Sequence, residues 1–111
     1  MKLPADSLIP TEKLTRYLLV PQARADKSAF LARAGYTLQN ASDLLLDLRL
    51  QILPLDAAPT EVNQFGEFFE IRGALRGPNG VTLRVKTIWI QDALSNTVRF
   101  VTLLPDKTRM S

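Results

Sequence analysis

The sequence predicts an α+β domain with N-terminal helices packed on one face of a C-terminal antiparallel β-meander of three to four strands. Three observations carry this reading. Residues 81–91, VTLRVKTIWIQ, alternate apolar Val81, Leu83, Val85 and Trp89 with polar Thr82, Arg84 and Lys86, the period of a strand with one buried and one cationic face. Residues 41–53 place Leu44, Leu45, Leu48 and Ile52 on one helical face, making the strongest amphipathic segment of the chain. Helical periods come first and strand periods last, an order that segregates helices from sheet.

Taken in order, residues 1–10 form an extended lead-in, because Pro4 and Pro10 disfavour helix in the residues just before them. Thr11 offers an N-cap hydroxyl, Glu12 suits the first turn, and Leu14, Tyr17 and Leu18 recur at helical spacing, so a short helix spans about residues 11–20 and Pro21 ends it. Asp26 can cap a second helix over about 27–34, closed by Gly35. Asn40 is the expected cap of the third helix, whose stripe Leu46, Leu50 and Leu53 would widen. Residues 55–65 contain Pro59 and several turn formers and read as a loop or irregular edge. Beyond Glu67, Phe69, Ile71, Gly73 and Leu75 alternate with Glu70, Arg72, Ala74 and Arg76 as a half-buried strand. GPNG at 77–80 then predicts a tight hairpin, since Asn and Gly both tolerate positive φ. In the last strand Val98, Phe100 and Leu104 share a face with Thr102, opposite Arg99; Pro105 and a polar tail close the fold.

Length and composition bound the rest. At 111 residues the chain is expected to be one domain, residues 1–111, with no second core. It has neither cysteine nor histidine, which excludes disulfides and thiolate ligands and removes the commonest general acid–base and zinc-binding groups; no cofactor and no metal are expected. No apolar run approaches the length of a membrane span and the N-terminus lacks a signal-peptide core, so a cytoplasmic location without membrane contact is expected. Residues 1–71 carry seven basic and nine acidic groups, whereas residues 72–111 carry seven basic and two acidic, which puts the positive excess on the expected sheet.

A meander of these strands aims Arg72, Arg76, Arg84, Lys86 and Arg99 away from the helices, with Ile88, Phe68 and Ile90 among them. That mixture suits a protein interface or dimer seam, so Arg72, Arg76, Arg84, Lys86, Ile88 and Arg99 are the candidate binding surface for a protein partner or a homodimer. A solvated sheet face is the plainer alternative, with Glu70 paired across to Arg84 or Lys86. Trp89, in phase with Val81, Leu83 and Val85, belongs to the core. No phosphate loop or nucleophile elbow exists.

The segments KLP, TEKLTRYLL, DKSAFLARAGY, FGEFFEIRGALRGPNG, VKTIWI and RFVTLLP together resemble a bacterial domain family of unknown function. Its members occur as small stand-alone proteins and at the C-termini of large secreted toxin or adhesin chains. The resemblance spans nearly the whole chain, and its layout is similar to the fold of barnase-like and RelE-like ribonuclease toxins, which hold RNA on the open sheet face. It implies, as the alternative to a binding module, a metal-independent ribonuclease-like toxin domain with Lys27, Arg84, Lys86 and Thr102 as catalytic candidates. Without a histidine, the carboxylate of Glu70 or Glu67 would have to supply the base.

Overall fold

The computed structural model describes residues 1–23 and 26–107, so the last four residues of the expected polar tail lie outside the described residues. Helix α1 covers residues 11–18, with an α-helical start over Thr11–Lys13 that widens to π-type hydrogen bonding over Leu14–Leu18. Thr11 is not the cap expected of it: Pro10, in extended backbone, occupies that position, and no side chain caps the helix. Helix α2 is Ser28–Ala32; Lys27, not the expected Asp26, holds the cap position, while the Asp26 carboxylate one residue earlier accepts from the Ser28 amide at 2.9 Å.

Helix α3 covers residues 38–52: a 3-10 turn over Leu38–Asn40, an α-helix over Ala41–Asp47 and a π-type end over Leu48–Ile52. It begins earlier than expected because Thr37 takes the cap. The Asn40 side chain works backwards instead, accepting from the Thr37 amide at 2.7 Å and donating to the Gly35 carbonyl at 2.8 Å. Leu44, Leu48, Ile52 and Leu53 are buried, but Leu46 and Leu50 are 53% and 64% exposed, so the stripe is narrower than the leucine content implies.

Four strands follow, β1 (Ala58–Asn63), β2 (Gly66–Arg76), β3 (Thr82–Asp92) and β4 (Val98–Pro105), in the antiparallel order β1-β2-β3-β4. The α+β layout expected from the sequence is the one observed. The irregular edge expected around Pro59 is β1, exposed along its whole length and interrupted by a register shift at Thr60. The β2–β3 reversal differs in kind from an Asn-Gly two-residue turn. Gly80 donates to the Gly77 carbonyl at 3.0 Å and Gly77 to that of Val81 at 2.9 Å, with positive φ at Gly80 alone, which is a three-residue loop closed by a glycine bulge. Asn79, whose φ is not positive, instead bonds the residues just after α2: its backbone and side-chain amide nitrogens donate to the Ala34 and Arg33 carbonyls at 3.3 and 3.1 Å.

The core lies between α3 and the inner sheet face, where Leu44, Leu48 and Ile52 join Ile71, Leu75, Leu83, Val85 and Trp89 in one buried cluster. Trp89 is fully buried, as the alternation requires, with Phe100 edge-on at 5.3 Å between centroids. Its indole N–H donates to Thr87 Oγ1 at 2.8 Å, and Thr87 donates onward to the Ile71 carbonyl at 3.0 Å, so both buried polar groups are satisfied. Val81, expected inside, is 41% exposed because it closes the hairpin loop opposite Gly77, ahead of β3.

The last strand corrects the simple alternation. Trp89 pairs with Phe100 but Ile88 pairs with Thr102, leaving Val101 as an extra residue that shifts the phase. Leu103 is therefore the buried residue opposite Thr87, while Leu104 joins Lys86 and Thr102 joins Ile88 on the outer face. The lead-in also does more than approach the helices. Leu8 donates to Val98 at 2.9 Å and receives from Phe100 at 2.8 Å, forming a parallel bridge that covers this half of the β4 edge.

Candidate binding face of the sheet

The pairing register lays out the outer face from residue to residue. Across β2, β3 and β4 the rows are Phe68–Ile90–Arg99, Glu70–Ile88–Thr102 and Arg72–Lys86–Leu104, and Ala74–Arg84 follows on β2 and β3. Apolar residues thus gather toward one end and cations toward the other. Ile90 is only 3% exposed although it belongs to this face, and Phe68 and Ile88 are half-buried.

The predicted surface residues do not all act alike. Arg72 bonds Glu70 at 2.9 Å through Nε and Asp106 at 2.7 Å through Nη1, and the Glu70 hydrogen bond raises the Arg72 pKa further above the range in which it could discharge. Glu70 therefore pairs along its own strand with Arg72, not across to Arg84 or Lys86. Arg99 is held by Asp92 at 2.8 Å. The Arg99 hydrogen bond, with the amides of Leu94 and Ser95, holds the Asp92 carboxyl down at about 2. Arg76 leaves the group: it lines a concavity with Asp43, Asp47 and Gln51 of α3, and its carbonyl accepts from Tyr36 and Gln51 at 3.2 and 3.0 Å. Arg84 and Lys86 make no ion pair among the described residues. Lys86 thus stands one row from Ile88 and Arg84 two rows from it, and both are free of ion pairs among the described residues.

Lys86, Arg72 and Leu104 line a shallow concavity of about 520 Å³ with Asp106 and Lys107. The last two were not singled out in sequence, where they read as polar tail; Asp106 is drawn in because its amide donates to the Arg84 carbonyl at 2.9 Å. The four catalytic candidates divide into two pairs. Arg84 and Lys86 sit on the outer face of β3, and on β4 Thr102, in the same face opposite Ile88, is met by Lys27, whose Nζ lies 3.3 Å from its Oγ1 across 75 residues of sequence. Glu70, the nearest carboxylate by spacing, is occupied by Arg72, and Glu67 pairs in register with Gln91 beyond the cationic rows.

A second concavity, of about 400 Å³, lies where α1 meets β4. Lys13 and Tyr17 of α1 line it with Lys27, Val101 and Thr102. The spacing of Lys13 and Tyr17, one helical turn apart, is a signal that could have put them on one face; their meeting with β4 is tertiary and left no mark in the sequence.

A family model described as "Domain of unknown function (DUF6883)" matches residues 3–107. No curated protein and no solved structure matches the chain.

Proposed function

Because the chain belongs to DUF6883, a domain family of unknown function, we propose its role from the sheet face itself: a binding module that receives an acidic protein surface on β2 and β3. The observation that carries this reading is the placement of Lys86 and Arg84, without ion pairs among the described residues, one and two rows from the half-buried Ile88 on the same face of β3. Apolar and charged residues sharing one face is how protein interfaces are commonly built, the apolar part supplying affinity and the charges choosing the partner. A second copy of this chain is the lesser fit. A two-fold axis passing through the cationic rows would bring two positively charged patches together.

The test is a titration of isotope-labelled protein with a short glutamate-rich peptide carrying central leucines, followed by its amide spectrum. The expected shifts run along residues 84–90, and Arg84→Glu with Lys86→Glu weakens binding about tenfold, equivalent to ~1.4 kcal/mol. Shifts on α1 or α3 instead, or a protein that sediments as a dimer and is split by Ile88→Asp, would overturn the reading.

A second reading, RNA cleavage by a toxin-like domain, draws support from the Lys27–Thr102 contact, which joins two of its four candidate residues. It expects tRNA to be degraded without added metal, and the activity to vanish in a folded Arg84→Ala variant.

A further inference from the structure

We propose that the cleft between α1 and β4 binds a small phosphate monoester carried on a flat ring, a ligand of the mononucleotide class. The site uses none of Arg84, Lys86 and Ile88, although its Thr102 is the register partner of Ile88 and forms with Lys27 the contact named in the second reading above. Its volume, about 400 Å³, lies within the range of small-molecule sites. Its lining divides by chemistry: the ammonium groups of Lys13 and Lys27 and the Thr102 hydroxyl on one hand, Tyr17, Leu18 and Val101 on the other.

The charges are the first part of the argument. Neither Lys13 nor Lys27 has a carboxylate partner among the described residues. Two like charges lining one cleft repel, and a dianion between them converts that repulsion into two attractions. A phosphate monoester is close to a dianion at neutral pH and offers three acceptor oxygens. Lys27 is also held in place. Its Nζ donates to Thr102 Oγ1 at 3.3 Å, and a neutral hydroxyl fixes an ammonium without discharging it, leaving two N–H donors for a ligand.

The ring follows from the remaining wall. Tyr17 is 60% exposed, a turn beyond Lys13 on the same helix, and Leu18 lines the cleft with it. A phenol face beside a cationic end accepts a planar ring by stacking, as base–aromatic contacts do. Gln22 keeps this wall in shape, because its amide donates to the Tyr17 and Val20 carbonyls at 3.5 and 3.2 Å and ties the chain after α1 back onto the helix. The β4 bulge contributes to the lining, since the extra residue breaks the strict alternation and lets the consecutive Val101 and Thr102 both line the cleft.

The experiment titrates the labelled full chain with adenosine monophosphate, inorganic phosphate and adenosine in parallel. Adenosine monophosphate is expected to shift the amides of Lys13, Tyr17, Lys27 and Thr102, inorganic phosphate to shift the Lys13 and Lys27 amides more weakly, and adenosine to bind at least tenfold more weakly than its phosphate. Lys27→Met and Lys13→Met each reduce affinity about tenfold with the remaining spectrum intact, and either one suffices if the other fails to fold. Thr102→Val, which frees Lys27, weakens the phosphate-bearing ligand without changing the binding of adenosine. Arg84→Glu with Lys86→Glu leaves the cleft's affinity within twofold. Adenosine binding as tightly as its phosphate, shifts centred on Lys86 and Lys107, or folded lysine variants that bind unchanged would each overturn the assignment.

Discussion

Asp92 concentrates several jobs in one carboxylate at the β3–β4 turn. It accepts from the Leu94 and Ser95 amides at 2.8 and 3.2 Å and from Arg99 at 2.8 Å, which is why its pKa falls to about 2. A carboxyl whose folded pKa lies below the ordinary value of about 3.9 stabilises the fold above that value, and the contribution disappears as pH falls toward the folded pKa. Urea midpoints should therefore drop between about pH 4 and pH 2, and Asp92→Asn should flatten that drop while lowering the midpoint at neutral pH. An unchanged pH profile in the variant would place the acid sensitivity elsewhere. At this scale the sequence is uneven in what it reveals. Trp89 could be placed inside from its neighbours two residues apart, but its partner Thr87 could not be identified, because the hydroxyl that satisfies the indole also needs the Ile71 carbonyl of another strand.

Between elements, Tyr36 joins three pieces that no local pattern connects. Its hydroxyl donates to Asp47 on α3 at 2.6 Å and reaches the Arg76 carbonyl at the end of β2 at 3.2 Å. Burial first, and then Asp47, push the phenol well above its usual range, so it stays protonated and available as a donor. Tyr36→Phe removes the donor and leaves the ring in place; it should cost about 1.5–3 kcal/mol in urea unfolding, the range for a hydrogen bond to a charged group. A loss below a few tenths would mean that water replaces the hydroxyl. The element scale also explains two misreadings. The leucines of α3 outnumber the room beneath the sheet, leaving Leu46 and Leu50 in solvent, and a one-residue bulge in β4 exchanges Leu104 for Leu103 in the core. Both are decided by what stands opposite, and neither has a local sequence marker. The exposed edge β1 shows the reverse: Pro59 and its irregular neighbourhood were readable, and Pro59, the register shift and Glu61 are features that discourage further strand pairing.

For the molecule as a whole, the uneven charge of its two halves becomes a sheet surface with partial compensation. Arg72 and Arg99 are committed to carboxylates, and Arg84 and Lys86 keep the field. Binding of the acidic peptide should then weaken as sodium chloride rises from about 0.05 to about 0.5 M, because the screening length falls below about 10 Å past about 0.1 M. The contact with Ile88 should leave a residual affinity that salt does not remove, measurable by repeating the titration at the higher salt. Affinity indifferent to salt would mean that the two cations take no part. No helix among the described residues is long and apolar enough to cross a membrane.

The sequence by itself determined the order of helices and strands, the inward tryptophan and the cationic face of β3, because these follow from periods of two and three to four residues within one segment. Tertiary structure decided which cations remain unpaired, which leucines are covered and how Lys27 comes to meet Thr102. The physical reason is range: a side chain's period is a property of its own backbone, while its partner, its exposure and its residual charge belong to chains of atoms folded back from far along the sequence.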